Sequence, residues 1–272
     1  MRAQDKTVLI TGASSGIGEA LAREFFRRGS RLVLCARRLD RMEKLARELD
    51  PSGSRILCVA CDVTREADVG AAVGRSVQKF GSLDVVVANA GFGVVGMFES
   101  LTVDDYRRQF DTNVFGVIHT VRASLEALKK SKGQLALIGS VNSYVSLPSV
   151  SAYAMSKFAV KALADSLHYE LKPYGIGTTL ICPGFVQSEI RQVDNKGVHH
   201  SGKGDIVPSW IQMPAMTAAR KIARAILCRR RERVVTGHGW WTVFLYRHFP
   251  CFVTKIISLG KVQGRPEPQA KG

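Results

Sequence analysis

The chain has 272 residues and a mass of 29.8 kDa, is 46% hydrophobic and 23% charged, and so holds enough apolar material for one large domain or two small ones. That balance excludes a disordered, collagen-like or disulfide-stapled chain. Lys and Arg outnumber Asp and Glu by 39 to 23, yet residues 191–272 alone hold 15 basic and 4 acidic side chains, and no nucleic-acid-binding motif accompanies the charge, so nucleic acid is not an expected partner.

In chain order, a short polar start (1–6) leads into a strand at 7–11 that ends in a Gly-rich turn, too soon for a signal peptide, and no secretion is expected. A helix at 17–28, a strand at 31–36, a helix at 41–49, a strand at 55–61, a helix at 66–80 and a strand at 83–88 follow. Then come a helix at 103–130, a strand at 133–139, a helix at 152–172, a strand at 176–182, a helix at 217–230 and a strand at 233–236. Most strands are continuous apolar runs, the pattern of strands covered on both faces. Strand and helix alternate, which predicts one α/β domain: a doubly wound parallel sheet of about seven strands with helices on both faces. We assign 1–239 to this domain, with a polar lid at about 185–215, and 240–272 to an aromatic and basic C-terminal extension. The run at 240–259 is interrupted by Arg247, His248, Pro250 and Lys255 and should not span a membrane. The six cysteines show no framework spacing and suit a reducing compartment; Cys58-x-x-Cys61 has no second pair, and no metal site is expected.

Between the first strand and first helix the chain reads Thr11-Gly12-Ala13-Ser14-Ser15-Gly16-Ile17-Gly18. Glycines here suit a tight turn, close approach of backbone N–H groups to a pyrophosphate, and close helix packing. The spacing is GxxxGxG, so taken alone the segment also reads as an ordinary Gly-rich turn. At the end of the second strand, Ala36 offers no carboxylate for a ribose 2′-OH, whereas Arg37 and Arg38 offer guanidinium donors to a 2′-phosphate. NADP is therefore expected over NAD. The other reading makes both arginines solvated residues before a helix capped by Asp40, which would itself reach a ribose.

Tyr153 and Lys157 stand four apart in a predicted helix and share a face. A tyrosine active at neutral pH needs its pKa lowered by about 3 units, which a cation about 4 Å away can supply. Such a pair alone is common on helices. With it, however, the Gly-rich segment 11–18, Asp62-Val63, Asn89-Ala90-Gly91, Asn113, Ser140 and Pro183-Gly184 occur in an order that resembles the classical short-chain dehydrogenase/reductase family over about residues 5–190. The resemblance implies a Rossmann-like fold and NAD(P)-dependent chemistry on CH–OH or C=O groups. It implies that Tyr153 exchanges the proton, Lys157 lowers its pKa and binds the nicotinamide ribose, Ser140 holds the carbonyl oxygen, and Asn113 kinks its helix and anchors a water leading to Lys157. It places Gly12, Ser14, Ser15, Gly16, Ile17 and Gly18 at the pyrophosphate, Asp62 and Val63 beside the adenine, Asn89, Ala90 and Gly91 along the cofactor, and Pro183-Gly184 beside the nicotinamide. NADP-preferring members carry a basic residue where Arg37 stands. A dimer or tetramer is likewise implied.

Phe92, Val94, Val95, Met97, Phe98, Tyr144, Val145, Leu147, Phe185, Val186 and Ile190 fall where they would line an apolar pocket for a lipophilic substrate, or belong to the core. Arg191, Lys196, His199, His200 and Lys203 in the lid suit an anionic head group or simple solvation. Six of the 21 aromatics crowd into 240–252 after the basic run 229–233, which suits either peripheral contact with the cytoplasmic face of a membrane or packing against pocket or subunit. The expected protein is a cytoplasmic NADPH-dependent carbonyl reductase, with a non-catalytic NADP-binding interaction protein as the alternative. Exact substrate, stereochemistry and physiological direction are not encoded legibly.

Overall fold

A computed structural model describes residues 2–200 and 207–259. Seven parallel strands, β1 (Thr7–Thr11), β2 (Arg31–Ala36), β3 (Ile56–Ala60), β4 (Val85–Ala88), β5 (Gln134–Ile138), β6 (Gly177–Cys182) and β7 (Glu232–Val234), form one sheet in the order β3-β2-β1-β4-β5-β6-β7. Alternation along each strand divides the core in two. Val8, Ile10, Val85 and Val87 face Phe25 of α1 (Gly16–Arg27) and Ile222 and Ile226 of α7 (Ala215–Leu227), together with Met42 of α2 (Leu39–Leu49). Leu9, Val86, Leu135 and Leu137 face Val73 of α3 (Glu66–Phe80), Val121 of α5 (Gly116–Ser131) and Val160 of α6 (Ser151–Glu170). Strand order reverses between β1 and β4, and the crevice at their carboxyl ends is the binding edge of such a sheet.

Two expectations are revised. The continuous helix at 103–130 is α4 (Val103–Phe110), a wide π-turn at Asp111–Phe115, and α5. Helix α2 begins at Leu39, so Asp40 lies in its first turn and does not cap it. Across the expected boundary at 239 runs α8 (Gly237–His248), capped by Thr236 Oγ1 accepting from Gly239 N–H at 3.2 Å and burying Val243. Pro250, with no N–H to lose, then opens α9 (Pro250–Leu259). Among the described residues no helix is long and apolar enough to cross a membrane.

Candidate active site

The Gly-rich turn is a cradle that side chains would fill. Gly12 and Gly16 sit at φ +67° and +55°, and a Cβ on Gly18 would strike the Gly12 carbonyl and lie 2.8 Å from Asn89 Nδ2. Asn89 Nδ2 donates to Thr11 O at 2.9 Å, while Thr11 Oγ1 accepts from Asn89 N–H at 3.0 Å and Ala90 N–H at 3.1 Å, tying the ends of β1 and β4 together. Ser15 at the N-cap of α1 makes no side-chain cap bond, which leaves the helix end able to receive an anion.

Arg38 lies over this turn. Its Nε donates to Ser14 Oγ at 3.3 Å, and its Nη2 donates to Ser14 Oγ at 3.2 Å and Ser15 Oγ at 3.0 Å. Arg37 is exposed and leans away, donating to Gly197 O at 3.2 Å. Asp62 Oδ1 accepts from Thr64 N–H at 3.0 Å, which shapes the turn after β3, and Val63 packs against Gly116 with its carbonyl 2.9 Å from His119 Nδ1. The residues present therefore fit a dinucleotide: glycines where its backbone must pass, an uncapped helix end, and a guanidinium with two hydroxyls at the end of β2.

The second half of the site gathers at β4, β5 and α6. Ser140 follows β5, and its Oγ accepts from Asn142 N–H at 3.1 Å. The π-turn places buried Asn113 so that Nδ2 donates to Phe92 O at 3.0 Å and Ser156 Oγ at 3.1 Å, while Oδ1 accepts from Phe92 N–H at 3.1 Å. A Cβ on Gly91 would lie 2.9 Å from Asn113 Oδ1 and 3.8 Å from Lys157 Nζ, so the four-residue spacing of Tyr153 and Lys157 sets both beside the β4 loop. A Cβ on Gly93 would touch the Tyr153 ring at 3.6 Å. Lys157 is 5% exposed, and Nζ donates to Ile138 O at 2.8 Å. Burial lowers its pKa to about 8.

The Tyr153 phenol departs from the electrostatic expectation. Its pKa is raised, because burial outweighs the lowering effect of its hydrogen bond with Ser140. Lys157 Nζ sits 5.7 Å from the centroid of the Tyr153 ring and donates to a backbone carbonyl. At neutral pH the phenol keeps its proton.

Of the apolar residues expected around a pocket, Phe92, Val94, Val145 and Val186 are buried, and Val95, Phe98, Leu147 and Phe185 are exposed. Tyr144 belongs elsewhere: with Ser143, Phe158, Lys161, Tyr246 and Arg247 it lines a separate cavity of about 400 Å³. In the lid, His199 meets Gln192 at 3.1 Å and His200 meets Asp194 at 2.8 Å; Lys203 lies outside the described residues. Among the described residues no group of His, Cys, Asp and Glu could hold a metal ion.

Sequence reasoning missed four residues. Ser188 and Glu189 close on the cradle, with Ser188 Cβ 3.0 Å from where a Gly16 Cβ would be. Buried Gln109 donates to Phe92 O at 2.9 Å and accepts from Val94 N–H at 2.6 Å, and its place four residues before Asn113 was the available signal. His238 Nε2 accepts from Phe185 N–H at 3.0 Å, the imidazole stacks on Phe185 at 5.5 Å, and burial keeps its pKa low, so it acts as a neutral acceptor behind Gly184.

The short chain dehydrogenase family model matches residues 6–198. An 11-beta-hydroxysteroid dehydrogenase A of Sesamum indicum is 33% identical over 279 aligned residues, covering 98% of this chain and 79% of that protein. A short chain dehydrogenase/reductase from Burkholderia phymatum, solved in complex with NAD, superposes with a TM-score of 0.81 at 25% identity, covering 98% of this chain and 99% of that one. An alcohol dehydrogenase from the archaeon Thermococcus sibiricus, solved with 5-hydroxy-NADP, gives a TM-score of 0.73 at 28% identity, covering 85% of this chain and 96% of that one. With the cradle and the Ser140–Tyr153–Lys157 cluster on one sheet edge, the chain belongs to the short-chain dehydrogenase/reductase family and is an oxidoreductase that uses a nicotinamide cofactor on a small molecule.

Proposed function

We propose that the protein is an NADPH-dependent reductase of a lipophilic ketone or aldehyde, with Tyr153 as the general acid. The observation that carries this reading is the cluster at the ends of β4 and β5, where the half-buried, proton-holding phenol of Tyr153 adjoins buried Ser140 and Lys157. A buried lysine whose pKa has fallen to about 8 is costly to fold around, which a purely structural or non-catalytic role leaves without reason.

A nicotinamide held by these residues would supply the hydride. Ser140 and Tyr153 then aim hydroxyl donors at the oxygen that gains negative charge, and Tyr153 delivers its proton there. Lys157 orients the ribose and restores the proton, with Asn113 holding the π-turn and the water path beside it. Gly12, Ser14, Ser15, Gly16, Ile17 and Gly18 bind the pyrophosphate; Asp62 and Val63 flank the adenine; Asn89, Ala90 and Gly91 border the cofactor; Pro183 and Gly184 face the nicotinamide. The preference for NADPH is supported by Arg38 on Ser14 and Ser15, with Arg37 beside it and Ala36 in place of a carboxylate. A relative named for hydroxysteroid chemistry, and exposed Val95, Phe98, Leu147 and Phe185, support an apolar substrate.

In this reading residues 1–239 are the catalytic unit, 185–215 its lid and 240–272 its extension, working as a homo-oligomer in the cytoplasm. Exposed Trp240, Trp241, Phe249, Phe252 and Leu259, flanked by Arg247 and Lys255, support peripheral contact with an anionic membrane surface. The deciding experiment is Tyr153→Phe: purified protein should oxidise NADPH faster than NADH with an apolar ketone, and the variant should lose turnover while still binding cofactor. Retained turnover would reject the acid assignment.

A further inference from the structure

We propose that Glu189 is a specificity-determining residue whose carboxylate competes with the cofactor's 2′-phosphate for Arg38, and so limits the enzyme's preference for NADP over NAD. The inference rests on the reading of Arg38 as a 2′-phosphate contact.

Glu189 reaches the cradle from the short turn Glu189–Gln192 that follows β6, held down by Ser188 against Gly16. Its Oε2 accepts from Arg38 Nη1 at 3.0 Å, and both carboxylate oxygens accept from Arg41 Nη1, at 2.7 and 2.9 Å. His199 Nε2 is 3.5 Å from the same carboxylate. Burial acts to raise the Glu189 pKa, but the hydrogen bonds from Arg41 and Arg38 prevail and lower it, so an anion stands there at neutral pH. The other donors of Arg38 already serve the neutral hydroxyls of Ser14 and Ser15.

A 2′-phosphate carries roughly −1.5 to −2 charges at neutral pH and seeks planar, paired donors of the guanidinium kind. To engage Arg38 it must share Nη1 with Glu189 or displace the serine hydroxyls, and in either case meet that carboxylate's repulsion. A cofactor with a free 2′-hydroxyl brings no charge at that position and meets neither cost there. Arg41 completes the device: it grips the carboxylate independently, so Glu189 can yield Arg38 without leaving its place. The carboxylate therefore weighs most on the 2′-phosphorylated cofactor, and its removal should widen the discrimination.

Calorimetric titration of the full chain with adenosine 2′,5′-bisphosphate and with adenosine 5′-monophosphate tests this. Glu189→Gln should tighten the bisphosphate by about tenfold and move the monophosphate by less than about twofold. Glu189→Asp, which keeps the charge, should stay near the wild-type ratio. Parallel weakening of both ligands in Glu189→Gln would overturn the proposal and make Glu189 a lid strap; an unchanged ratio would overturn it as well. Arg38→Gln separates the two levels of inference. Loss of the bisphosphate preference in that variant supports the phosphate reading of Arg38, whereas a wild-type protein that binds both probes equally and is insensitive to Arg38→Gln removes that reading and this proposal with it.

Discussion

Replacing Lys157 with Met should make the cofactor-free protein more stable while abolishing its chemistry. Lys157 is 5% exposed, and its pKa falls from an ordinary 10.5 to about 8. At 1.36 kcal/mol per unit, that difference means the folded state gives up about 3 kcal/mol to keep an ammonium there near neutral pH. Met fills similar volume without charge, but orphans the Ile138 carbonyl that Nζ now serves at 2.8 Å, a loss of about 1 kcal/mol. The net gain is about 2 kcal/mol, or about 6 °C in Tm for a chain of this size. Its pH dependence follows from the direction of the shift. Between the folded value of about 8 and the unfolded 10.5 the unfolded chain binds more protons, so the wild type gains stability as pH rises across that window. The variant's advantage should be full below the window and shrink through it. Urea unfolding followed by tryptophan fluorescence, at neutral pH and again near the upper end of the window, measures both. A variant no more stable than wild type at neutral pH, or an advantage indifferent to pH, would refute the cost assigned to this lysine.

Other expectations follow from the same geometry. Gly18→Ala should drive a methyl into the Gly12 carbonyl and Asn89, costing about 2 kcal/mol and cofactor affinity together; titration with NADPH and thermal unfolding check it, and unchanged binding would deny the cradle its role. Because burial raises the Tyr153 pKa, alcohol oxidation, which needs the phenolate, should accelerate as pH rises above neutral while ketone reduction does not; a flat oxidation profile would contradict this. Arg37→Ala should weaken NADPH with little effect on NADH, and Arg38→Ala should do so more strongly, since Arg38 alone of the two reaches Ser14 and Ser15; equal losses with both cofactors would remove the case for NADP. Deleting 240–272 would strip buried Val243 out of the core along with the exposed rings, so membrane contact is better tested by Trp241→Ser with Phe252→Ser, which should abolish co-flotation with anionic vesicles. A wild-type protein that does not float would end that reading.

The fold was legible because its strands are saturated with apolar residues: the β1 run Thr7–Thr11 is buried along its whole length and cannot be an edge or a half-exposed hairpin. Alternation of strands with helices predicted a parallel, doubly wound sheet, whereas the order β3-β2-β1-β4-β5-β6-β7 is seen in the structure alone. Local detail was less visible. Residues 103–130 carry unbroken helical composition, and only the Asn113 side chain, bonding Phe92 and Ser156, shows why the helix widens at Asp111–Phe115 instead of running through. Spacing placed Tyr153 and Lys157 on one face correctly, yet could not show that Lys157 turns to the Ile138 carbonyl, because the competitor is a backbone atom of a strand distant in sequence.

The two segments that were hardest to read share a cause. In the lid, Ser188 and Glu189 look like any polar pair after a strand; their significance comes from the close approach of the lid to Gly16, and from arginines that Glu189 meets 148 and 151 residues earlier in the chain. In the tail, the aromatic run looks uniformly apolar, but the helix sorts it. Gly239 and Val243 turn inward four residues apart, while Trp240 and Trp241 turn out, so composition alone could not separate core from surface. Charge shows the same limit. The basic excess of the last third reads as one patch along the sequence, yet Arg231 is bound to Asp165 and Arg247 lies over the Tyr144 ring at 4.6 Å. Part of that excess is consumed in holding the C-terminal elements to α6 and to the turn after β5, while Trp240, Trp241, Phe249 and Phe252 stay exposed.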